Sequence, residues 1–80
     1  MTPERRLIAQ FRSDANLHMS AASKNYAYAT DLHGQGRHDW ASAIERRAMF
    51  QEETAFALRL RAAEVEARLQ TATTLMETAR

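Results

Sequence analysis

The side chains best suited to chemistry crowd one short stretch. Asp31, His33, His38 and Asp39 all fall between residues 31 and 39. Imidazole and carboxylate are common ligands of zinc and other divalent ions. Their spacing here matches no standard ligand motif, and the third histidine, His18, stands well upstream, so no metal site is expected. Ser42 follows His38 by four residues, and Glu45 follows Ser42 by three. That spacing puts a hydroxyl, a base and a carboxylate on one side of a helix. Nucleophilic catalysis also needs a cleft in which such groups converge on a substrate, and two helices alone form none. Gly34-Gln35-Gly36 lacks the third glycine and the preceding strand of a phosphate-binding loop. The expectation is a protein that is not an enzyme, with no cofactor and no small-molecule substrate.

These residues surround a turn between two helices. Asp39–Arg80 contains no Gly and no Pro and is dense in Ala, Leu, Glu and Arg. Its apolar and small positions run Ile44, Ala48, Gln51, Ala55, Leu58, Ala62, Val65, Leu69, Ala72, Met76, Ala79, in alternating steps of four and three. A 3.5-residue repeat keeps one seam on one side of a helix. In heptad letters, Ala48, Ala55, Ala62, Leu69 and Met76 are a positions; Ile44, Gln51, Leu58, Val65, Ala72 and Ala79 are d positions.

The first helix starts at Thr2-Pro3-Glu4, with Thr2 as cap, Pro3 in the first turn and Glu4 at the positive end of the dipole. It runs to about His33, with an inner face of Ile8, Phe11, Ala15, Met19, Ala22, Tyr26, Ala29 and His33. Gly34 or Gly36 can take the left-handed conformation that ends a helix. Asp39 is the expected N-cap of the second helix. A connection this short joins antiparallel neighbours. Pairing the faces about the turn sets Ala29 level with Ile44, Ala15 with Leu58, Phe11 with Ala62 and His33 with Trp40. Large residues then mostly face small ones. Asn25 and Gln51 fall near one level as a polar layer. The fold class is all-α: an antiparallel two-helix hairpin, about 3–33 and 39–79, in one domain over residues 1–80, dimerising into a four-helix bundle.

Dimerisation is expected because two surfaces are left over. Met49, Phe56, Leu60, Ala63 and Ala67 form a narrow arc well over 90° from the seam, at about 100° per residue. They are either singly exposed residues or a second contact face. The Gln70–Arg80 segment projects past the first helix by about 15 Å and carries Leu75 and Met76. Its threonines weaken it as an isolated helix. Trp40 and Tyr28 are further candidate partner anchors, since aromatic residues are favoured at interface hot spots; the alternative for Trp40 is a plug at the closed end of the core.

Composition narrows the classes. The chain has no cysteine, so no disulfide or thiolate site can staple it. Formal net charge is +1, and acids and bases are interspersed, which leaves no electrostatic footprint for nucleic acid or an anionic membrane. No apolar run approaches transmembrane length, and the expected location is the cytoplasm. Arg outnumbers Lys ten to one, a bias that suggests a GC-rich bacterial or phage genome.

Gly36, His38, Ala41 and Ala48 have the spacing of a tetratricopeptide hairpin turn, and this stretch resembles one. Ala29 stands where that motif has Gly, and Glu45 where it has an aromatic; membership is not assigned. The overall layout is similar to the RNA-binding Rop hairpin, which implies RNA binding as an alternative. Arg5, Arg6, Arg12 and Lys24 would have to supply its basic face, and Glu4 and Asp14 dilute them. The main expectation is a non-catalytic interaction module, homodimeric, that binds another protein as an inhibitor, anti-activator or adaptor. A heteromeric co-chaperone or assembly subunit is the second.

Overall fold

In the computed structural model, which describes residues 2–79, two helices make an antiparallel hairpin. Met1 and Arg80, the ends of the expected 1–80 domain and of the expected Gln70–Arg80 extension, lie outside the described residues. α1 is Pro3–Gly34 and α2 is His38–Thr78. The N-terminal signal acts as read: the Thr2 hydroxyl accepts a hydrogen bond from Arg5 N–H, and Pro3 occupies the first turn.

Gly36, at φ 78°, is the left-handed residue of the turn. The chain reversal is closed by backbone bonds from Gln35 to Asp31 and from Arg37 to Leu32, which satisfy carbonyls that the last turn of a helix leaves free. The expected cap at Asp39 is corrected. α2 begins at His38, with Arg37, two residues before Asp39, in the N-cap position and no side-chain cap bond; Asp39 sits in the first turn. There its carboxylate faces the positive end of the helix dipole, a role that tolerates this shift.

The core is a double seam of small residues. Ala41, Ala48, Ala55 and Ala62 of α2 are buried at strict seven-residue intervals. α1 answers with Ile8, Ala15, Ala22 and Ala29 at the same interval. Seven of the nine buried residues are alanine, so the helix axes can approach to the short end of the usual 8–10 Å range. That close approach explains why the expected large-against-small layers are only part of the outcome. Phe11, Met19, Tyr26, Leu58 and Val65 flank the seam half-buried instead of filling it. Near the turn, Ala29, Leu32 and Ala41 form a cluster against which Ile44 packs. The Ala29–Ile44 level is therefore right, but His33 was the wrong inner-face residue: it is exposed, and Leu32 is buried in its stead. A seam centred on every seventh residue leaves room beside Ala29 for Leu32, three positions on, and rotates His33 outward.

On either side of the alanine seam the two helices meet with like columns. On one side the d columns face each other, and Asn25 Nδ2 donates to Gln51 Oε1 at 2.8 Å, forming the anticipated polar layer. The same side carries the next column outward, g in heptad letters, where Tyr28 and Trp40 meet edge to face with centroids 5.9 Å apart. On the other side the e columns meet, with ion pairs Arg12–Glu66 and His33–Glu45. Glu64 and Arg68, four residues apart on α2, form no ion pair among the described residues.

α2 outruns α1. At about 1.5 Å per residue, its 41 residues span roughly 60 Å and the 32 of α1 roughly 48 Å. Leu69 and Gln70 lie beside the start of α1, in a groove shared with Arg5 and Ile8. Beyond them α2 stays helical to Thr78 without a neighbour. The hydroxyls of Thr71, Thr73 and Thr78 each donate to the carbonyl four residues back, a local bond that slightly weakens a helix.

Candidate interaction surface

The polar groups that could do chemistry are spread into structural pairs. The rings of His33 and His38 lie 5.0 Å apart, with Nδ1 atoms 2.7 Å from each other, and His33 Nε2 bonds Glu45. His33 therefore links the turn to α2, and the expected His33–Trp40 contact is replaced by this network. No hydrogen bond joins His38 to Ser42 among the described residues. No group of three or more metal-ligating side chains converges among them either. His18 is half-buried on α1, away from the turn.

The titration of Tyr26 is displaced upward. Partial burial beside α2 pushes its phenol above the ordinary value, and the Glu52 carboxylate, then Glu45, push it further the same way. This is the signature of a phenol held neutral in a helix–helix flank. A poised catalytic base would be shifted toward neutrality instead.

The apolar surface is more extensive. Met49, Phe56 and Leu60 are 53%, 64% and 50% exposed, and Ala63 and Ala67 beside them are exposed as well. Phe56 walls an open groove with Met19, Glu52, Glu53 and Arg59. Leu75 and Met76 on the overhang are also exposed. Trp40 is 47% exposed, so it caps the outside of the closed end and does not plug the core. Arg37 places its guanidinium carbon 5.6 Å from the Trp40 ring centroid, within cation–π range. Tyr28 and Trp40, expected as separate anchors, are brought together.

Two features escaped the sequence reading. Phe50 is 69% exposed; it precedes Gln51 and belongs to neither the seam nor the stripe, so no periodicity marks it. The column of Leu7, Tyr28, Trp40 and Leu75 is exposed along one side. Its signal on α1 is the seven-residue spacing of Leu7, Ala21 and Tyr28, which Asp14 interrupts.

No helix is long and apolar enough to cross a membrane among the described residues. Comparison with known protein families, curated proteins and solved structures finds no match.

Proposed function

We propose that this chain is a non-catalytic protein–protein interaction module: a helical hairpin that self-associates and presents an apolar stripe of α2 to another protein, as an inhibitor, anti-activator or adaptor. The observation that carries the reading is the exposed Met49–Phe56–Leu60 stripe on a hairpin whose own core is mostly alanine. A core of methyl groups buries little apolar area. Each large side chain left outside would contribute about 1.5–3 kcal/mol if fully covered. A small single core rarely supplies more than about 3–5 kcal/mol, so covering two or three such residues rivals the whole intrachain contribution. Open grooves and chemistry-bearing groups engaged in structural pairs fit binding better than turnover.

The test has two arms. Light scattering gives the oligomeric state of the purified chain, with a stable homodimer expected. Affinity capture from native cells is then compared between the wild-type chain and Phe56→Asp, with specific loss of captured protein expected for the variant. Equal capture by both removes the stripe as the binding surface. A wild-type chain that is a poorly folded monomer points instead to one half of a heteromer, as an assembly subunit or co-chaperone would be.

A further inference from the structure

The hairpin has two broad sides, and they differ in kind. The side where the e columns meet is closed by the Arg12–Glu66 and His33–Glu45 pairs. The opposite side has no ion pair among the described residues. Its inner columns are the half-buried Phe11, Ile44, Leu58 and Val65. Its outer columns hold Leu7, Tyr28, Trp40 and Leu75, all more than 40% exposed, with Asp14, Arg47, Arg61 and Arg68 between them. The Met49–Phe56–Leu60 stripe is not on this side.

We infer that this side is where a second copy of the chain docks, with both turns at the same end and the two-fold axis along the bundle. The inference rests on the self-association proposed above and assigns its face and direction, leaving the Met49–Phe56–Leu60 stripe free for a different protein.

Four observations select this occupant and this direction. The first is continuity: the half-buried residues are the outer margin of the intrachain interface, and a second hairpin completes their burial. The second is the Asn25–Gln51 layer. Their single mutual hydrogen bond leaves Asn25 Oδ1 and Gln51 Nε2 free, and no side-chain N or O among the described residues is buried without a partner, so both atoms face solvent. Turns placed together bring two such layers to one level, where Gln51 Nε2 can donate to the partner copy's free amide oxygen. Turns at opposite ends would set each layer against the apolar Phe11–Val65 region and strand the amides, which is costly.

The third observation is the overhang. Leu75, Ala72 and Ala79 continue this same side beyond the start of α1. Only with turns together do the two overhangs lie against each other. The fourth is charge: around a two-fold along the bundle every adjacent helix pair is antiparallel, so Arg61 of one copy falls level with Asp14 of the other. Neither residue has an ion pair among the described residues. A face about 48 Å long and 17 Å across offers on the order of 800 Å² per copy, the size of a standard stable interface.

The chain lacks cysteine, so Gln35→Cys gives a single spin-label site in the turn. Pulsed dipolar spectroscopy on the dimer is expected to report about 20 Å between labels, set by bundle width. The opposite direction would give about 50 Å, set by helix length, and would overturn the assignment. In sedimentation equilibrium, the double variant Leu7→Glu/Leu75→Glu is expected to weaken the dimer at least tenfold while retaining wild-type helicity, since both side chains are exposed in the single chain. Phe56→Asp is expected to leave the dimer intact. The reverse pattern, loss with Phe56→Asp and survival of the double variant, overturns the face. A wild-type chain that stays monomeric at high concentration refutes the proposed self-association itself, which separates the two failures.

Discussion

Replacing Ala55 by Leu tests the structural premise beneath everything else, the close approach of the two helices. Ala55 is fully buried in the middle of α2, on a seam whose opposing residues are also alanines. If the helices were spaced for leucine-sized side chains, the added carbons would find room. They would then stabilise the hairpin by up to about 2 kcal/mol, at roughly 0.8 kcal/mol per buried methylene. At the short end of the usual 8–10 Å range of axis separations there is no room, and overpacking costs about 1–3 kcal/mol. Against a total of about 3–5 kcal/mol for a core this size, that is a large share of the stability. Urea unfolding followed by circular dichroism reads the change. With a slope near 1 kcal/mol per molar for a small protein, the midpoint should fall by about 1–3 M. Ala57→Leu, two residues on and exposed, is the control and should stay within about 0.5 kcal/mol of wild type. Measurements at one protein concentration keep self-association constant. Equal midpoints for the two variants, or a higher one for Ala55→Leu, would refute alanine-limited spacing.

The turn and one flank give two more expectations. Gly36→Ala should destabilise by more than about 1 kcal/mol because φ is 78° there. Gly34→Ala, in helical conformation with nothing near an added Cβ, should gain about 0.5–1 kcal/mol. Thermal melts resolve both, at roughly 4–8 °C per kcal/mol for a chain of this size. The Tyr26 phenol is raised in the folded chain; its contribution is therefore fully present below the unfolded value near 10 and lost as pH rises through the higher folded value. Tyr26→Phe should flatten the alkaline fall in melting temperature, and phenolate absorbance in a Tyr28→Phe background should titrate above the free-tyrosine range.

Much of this fold was legible because the second helix repeats without interruption and the glycines are confined to the turn. The Thr2-Pro3 start, the Asn25–Gln51 layer and the exposure of Met49, Phe56 and Leu60 all follow from period and local chemistry. What was not legible depends on rotation about the helix axis. A run such as Leu32-His33 offers two neighbours to one inner face, and only the alanine spacing of both helices decides which enters. The cross-helix pairs Arg12–Glu66 and His33–Glu45 depend on the same few degrees. The meeting of Tyr28 with Trp40 depends on the path of a three-residue turn, which sequence spacing does not encode.

The alanine seam also governs how the molecule moves through solvent. Two helices side by side, with nothing behind them, measure 67 × 17 × 12 Å and have a radius of gyration of 18.7 Å. A compact chain of 80 residues would have roughly 12 Å, and 18.7 Å is what a globule of roughly 280 residues would show. A lone hairpin will therefore diffuse slowly and leave a sizing column early, in the position of a larger globular protein. Elution volume alone would mistake one copy for an assembly, and only a mass-resolved measurement can distinguish a long monomer from an equally long, thicker dimer.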